Sequence, residues 1–186
     1  ALLIVLLLAS QIIIAQKNPV IDIFYSEFSN GKKLENSEMK ITYADDILYL
    51  SKQSSKIRHY MDYNQRKNIS LMKYEDKLYY TQTDFDSLIK PLEISKEKDT
   101  IIGYKCKIAR FSYFSNSIKV WYTEDTKAKG SPYSRYIPND KCLVLKIVVN
   151  GNHTIIAEKI ENQEFPELQD YPIHKAKEIS KSELEE

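Results

Sequence analysis

Three histidines, two cysteines and one adjacent pair of aspartates are the side chains of this 186-residue sequence best suited to chemistry. Hydrolysis by a side-chain nucleophile needs a base within hydrogen-bond reach and a third group to orient that base. His59, His153 and His174 lie far apart and none stands in a motif: the chain has no GxSxG elbow, HExxH, Walker loop or dinucleotide fingerprint. Asp45-Asp46 is the nearest approach to a carboxylate pair. Neighbours in a strand point to opposite faces, so these two suit a turn or bulge better than a glycosidase centre. Cys106 and Cys142 have neither the nearby histidines of a zinc site nor the spacing of a redox pair. The expectation is a protein with no catalytic residues, no metal and no cofactor.

Charge narrows the partners. The 27 basic and 26 acidic residues leave a formal net charge of +1, which gives no case for nucleic acid. Aromatic residues interleaved with lysines, as over 104–107, read as a sheet with aromatics inside and lysines outside. Fourteen tyrosines and six phenylalanines favour pleated sheet over a helix bundle, while only four glycines and six prolines argue against a long low-complexity region. The length suits one domain.

The first fifteen residues are apolar except Ser10 and Gln11, and end on the small residue Ala15. This is the pattern of a secretory signal peptide cleaved between Ala15 and Gln16. The run falls short of the roughly 20 apolar residues that span a bilayer. The expected product is exported to the periplasm or cell envelope and is not an integral membrane protein after cleavage. In an oxidising compartment the even pair, Cys106 and Cys142, is expected to form a disulfide.

The elements that position these residues are short strands with local connections. Residues 20–28, 39–43 and 47–50 alternate in β fashion, and in 57–63 Ile57, His59, Met61 and Tyr63 share one face. Strands over 69–74 and 77–82 follow. The polar stretch 84–99, with Pro91, reads as a crossover holding at most a turn or two of helix. Residues 100–114 read as one long strand, returned by Ser115-Asn116-Ser117 into 118–124. The loop that follows, up to Lys141, is long enough to rank as a functional candidate. Asn150-Gly151 marks a hairpin with a type I′ turn. Beyond Asn162 the chain reads as an extended arm followed by a short frayed helix.

Ile102, Gly103, Tyr104, Lys105, Cys106 and Lys107, followed by Trp121, Tyr122 and Thr123, resemble the GLPGLI family of exported Bacteroidetes proteins. The name-giving Gly-Leu-Pro-Gly-Leu-Ile segment is replaced here by RYIPNDKCLVLKIVV. The resemblance implies a lipoprotein-carrier type of fold, an incomplete antiparallel barrel around an apolar cavity, and no established catalytic residues.

The resulting expectation is a mainly β protein: a curved antiparallel sheet or incomplete β-barrel with little helix. It divides into a signal peptide (1–15), a single β domain (16–162) and a polar C-terminal arm (163–186). The expected function is a non-enzymatic exported binding or envelope-associated protein, with an apolar small molecule or an envelope protein as partner. The alternative is a structural or interaction accessory of an outer-membrane transport system. Period-two patterning within each strand, with the curvature implied by the resemblance, assigns Tyr104, Ile108, Ile118, Val120 and Tyr122 to the wall of an apolar ligand cavity.

Overall fold

The computed structural model describes residues 19–52, 55–85, 89–163, 172–180 and 182–183. The expected signal peptide, 1–15, lies outside these residues, as does 164–171 of the expected arm.

Alternating sequence broken by two-residue turns builds a sheet hairpin by hairpin. β1 (Val20–Ser29) leads through the short β2 (Lys32–Lys33) into a first meander: β3 (Met39–Ala44), β4 (Ile47–Lys52), β5 (Ile57–Asp62), β6 (Lys67–Tyr74) and β7 (Lys77–Asp84). A second meander comprises β8 (Glu93–Ile101), β9 (Tyr104–Tyr113), β10 (Asn116–Thr123), β11 (Leu143–Val149) and β12 (His153–Gln163). The two join at β1, which pairs antiparallel with β12 on one side and with β3 on the other. The two-residue β13 (Lys177–Glu178) adds to β7 in parallel. The order is β13-β7-β6-β5-β4-β3-β1-β12-β11-β10-β9-β8, with β2 beside β1. Its two ends are not paired with each other, so the sheet is open. The longest helical stretch among the described residues is a 3₁₀ turn, Pro172–Lys175. No helix among them is long and apolar enough to cross a membrane.

Turn chemistry sets the register. Asn150 and Gly151 both take positive φ, 51° and 74°, the type I′ geometry that matches the twist of the flanking strands. Asp45 and Asp46 do the same between β3 and β4, at 49° and 60°. A short polar side chain tolerates this region better than a branched one. Asp46 is further held by the Tyr43 hydroxyl, which donates to its Oδ1 at 2.5 Å, and by Lys129 Nζ at 2.8 Å.

Two sequence expectations change. The strand expected over 100–114 is two strands, because Ile102 and Gly103 turn at φ 44° and 87°. A branched residue in that region is an outlier, and the apolar run masked it. The polar stretch 84–99 holds most of β8, which among the described residues pairs on one side only and exposes most of its side chains. Solvated on both faces, an edge strand needs no apolar alternation, and its charges protect the edge from further pairing.

The core draws on both halves: Ile23, Ile41, Ile118, Leu143, Leu145, Ile147 and Ile155 are fully buried. A second cluster of Tyr60, Ile69 and Leu71 is packed by Ile173 and Ala176 of the C-terminal segment. The loop 124–142 ties the halves together. Gly130 N–H donates to the Cys142 carbonyl and accepts from Val144 N–H through its own carbonyl, both at 2.8 Å, so the loop runs briefly parallel to β11. The same glycine faces Leu48 of β4. Four steps of the sheet separate β4 from β11, so one loop reaches both only because the sheet is strongly bent.

The expected disulfide does not form. Cys106 and Cys142 are both free and buried. Cys106 lies in β9 and Cys142 immediately precedes β11, with β10 paired between them. Two inter-strand spacings come to about 9–10 Å, beyond the Cα separation a disulfide spans. Each thiol donates instead to a nearby carbonyl, Cys106 to Tyr104 at 3.5 Å and Cys142 to Asn139 at 3.3 Å.

Candidate functional site

The residues assigned to a ligand cavity lie in the buried part of the sheet. Ile108, Ile118, Val120 and Tyr122 are all buried, and Tyr104 is half-buried against the same cluster. The register sets Ile118, Val120 and Tyr122 on one face, opposite Phe111, Ala109 and Lys107, and Ile108 on the other, opposite Trp121, so the five do not line one wall. None of them borders the cleft that the loop 124–142 forms with the first meander.

That cleft lies on the other half of the sheet and has a volume of about 600 Å³. One wall is sheet: Leu48, Leu50 and Lys52 of β4, His59 and Met61 of β5, and Asn68 and Ser70 of β6. The other is the loop segment 131–136, Ser-Pro-Tyr-Ser-Arg-Tyr, while Val149 and His153 close one end. The loop wall is built from its own sequence. Ser131 Oγ accepts from Tyr133 N–H at 3.1 Å, a turn that lifts Tyr133 into the opening. Tyr136 packs edgewise on Tyr133, with ring centroids 6.3 Å apart, and leans on buried Phe111. Arg135 donates to the Tyr113 hydroxyl at 3.1 Å and lies over that ring.

The sheet wall mixes apolar side chains, Leu48, Leu50 and Met61, with polar groups that are nearly uncharged. Lys52 is neutralised by Glu27, a buried carboxylate 2.9 Å away. His59 Nδ1 lies 3.1 Å from Ser70 Oγ, and burial lowers the imidazole's pKa, so the ring is neutral near pH 7. Burial raises the pKa of Tyr133 and of Tyr136, which keeps both phenols protonated. Asn68 Oδ1 is buried and has no hydrogen-bond partner among the described residues. The arrangement presents rings, hydroxyls, an amide and an imidazole: groups that bind and orient a neutral polar ligand. Among the described residues no group of three or more His, Cys, Asp or Glu side chains converges as a metal site does.

Part of this site was visible beforehand, since the loop up to Lys141 stands out by length and His59 shares a face with Met61. Asn68 and Ser70 carry no sequence signal, because a polar residue on an alternating strand reads as solvent face until a loop is laid over it.

Fold and cleft together define an open, bent antiparallel sheet whose inner face is crossed by one long loop. The chain belongs to the family described as "N-glycanase peptide, N-terminal domain", which it matches over residues 23–182. Solved structures similar to it include those of PNGF-II in space groups C2 and P21. Each has a TM-score of 0.75 and 23% identity, and the match covers 90% of this chain and 32% of that one. At that identity the likeness shows the fold. The chain spans about a third of the length of the structures it matches. No curated protein matches it.

This membership corrects two expectations. The chain is not a GLPGLI protein; the residues that carried that resemblance are a tight turn at Ile102-Gly103 and alternating positions of β9 and β10, features many antiparallel hairpins share. The expectation of a non-enzymatic binding or envelope protein is overturned too, because the family is a domain of an N-glycanase. No short catalytic signature in this sequence points to that family.

Proposed function

We propose that this chain works as the substrate-receiving N-terminal domain of a peptide:N-glycanase, an enzyme that hydrolyses the amide linking a glycan to an asparagine side chain. Water adds across the C–N bond, leaving a carboxylate on the peptide and the released glycan amine. Family membership over residues 23–182 carries this reading. The open sheet supports it by offering an inner face to a branched ligand. The ligand is then a glycopeptide in place of the apolar small molecule or envelope protein. The apolar run over 1–15 supports work outside the cytoplasm, in the periplasm or envelope where glycoproteins are met.

The test is glycan release from an N-glycosylated peptide by the full-length protein that carries this chain, read by mass spectrometry as conversion of the glycosylated asparagine to aspartate. Release that falls when this domain is removed supports the proposal. Absence of release, or release unaffected by the domain's removal, overturns it.

A further inference from the structure

We infer that the cleft between β4–β6 and the 131–136 loop segment is a saccharide subsite, which takes the glycan arm of the substrate and not its peptide arm. This rests on the glycanase reading above and assigns the part of the substrate that the domain holds. A peptide that binds by adding a β-strand needs an unpaired strand edge. The strands of the wall offer none, since β4, β5 and β6 are each paired on both sides. A saccharide asks for different chemistry: flat apolar rings against its C–H faces and neutral donors and acceptors for its hydroxyls. Tyr133 and Tyr136 supply the rings, and Tyr133 is 38% exposed at the opening. His59 and Ser70, 3.1 Å apart, supply neutral polar atoms below them. Asn68 Oδ1 is an acceptor without a donor, buried on the same wall. An isolated buried carbonyl is costly, and a sugar hydroxyl is the donor that satisfies it. The one ammonium of the sheet wall, Lys52, is held by Glu27, and Arg135 is turned to the Tyr113 hydroxyl.

The experiment is a titration of the isotope-labelled chain, followed by NMR, with N,N′-diacetylchitobiose and separately with an unglycosylated acceptor peptide. The disaccharide is expected to shift resonances of 131–136 and of Asn68, and the peptide to leave them unmoved. Tyr133→Ala is expected to weaken saccharide binding about tenfold or more, Asn68→Ala by a similar factor, and Tyr133→Phe to stay within about twofold because the ring is kept. No disaccharide binding, binding unchanged in both alanine variants, or shifts at these residues caused by the peptide alone each overturn the assignment. Glycan release by the full-length protein is scored independently. An active enzyme whose domain ignores the disaccharide refutes the subsite alone, whereas saccharide binding without any glycan release refutes the glycanase reading alone.

Discussion

Gly130 joins three constraints at one residue: a φ of +116°, a backbone bridge to β11, and a position where a Cβ would overlap Leu48 Cδ1. Only glycine adopts that backbone without strain, and a methyl group there must push the tip of the buried Leu48 side chain aside. Gly130→Ala is expected to cost about 2–4 kcal/mol in urea unfolding, and Gly31→Ala, at φ +76° with open space around it, about 1 kcal/mol. Equal losses in the two variants would show that backbone conformation alone matters at Gly130. His59 allows a second test at this scale. Its folded pKa is lowered from 6.5 by burial, so the unfolded chain binds the extra proton first as pH falls. The stability this group contributes is present above about pH 6.5 and is lost as pH drops below it. Comparing the urea midpoints of the parent chain and His59→Gln between pH 5 and pH 8 isolates the effect. The variant should show the shallower pH dependence.

At the scale of elements, β10 decides the fate of the cysteines. Inserted between β9 and the start of β11, it holds Cys106 and Cys142 apart as buried thiols, whose pKa values burial pushes up to about 11 and about 12. A protonated, buried thiol is a poor nucleophile. The native protein is therefore expected to resist a thiol reagent at pH 8 and to release two equivalents of free thiol in guanidinium; fewer than two would reveal a bond. The same elements show what sequence could and could not convey. The Asn150-Gly151 hairpin and the Asp45-Asp46 turn were legible because their chemistry is local. β8 was not, since an exposed edge strand lacks alternation, and neither was the Ile102-Gly103 turn inside an apolar run. Of the cleft, the loop was legible by its length, but its partners Asn68 and Ser70 were not. What brings them together is the bending of the sheet under Gly130, a tertiary event with no periodicity of its own.

Across the whole molecule, the C-terminal segment finishes one face of the first meander. β13 pairs with β7 over two residues, and Glu178 accepts from Tyr80 at 3.2 Å and Gln82 at 2.9 Å. These are exposed contacts, worth little in water. Ile173 and Ala176 do more, because they cover Tyr60, Ile69 and Leu71, residues that would otherwise present an apolar patch to solvent. Burial and pairing therefore assign different energies to neighbouring residues of one segment. Ile173→Ala is expected to cost about 1–2 kcal/mol, below the range for a full core position because Ile173 is half-buried, and Glu178→Ala within about 0.5 kcal/mol. The loss should also be local. In native-state hydrogen exchange, Ile173→Ala is expected to speed the amides of β5–β7 while those of β10 and β11, buried around Ile118 and Leu145, keep their protection. Uniform acceleration across both meanders would mean instead that the sheet unfolds as one unit, with β1 and β12 transmitting the loss from one half to the other.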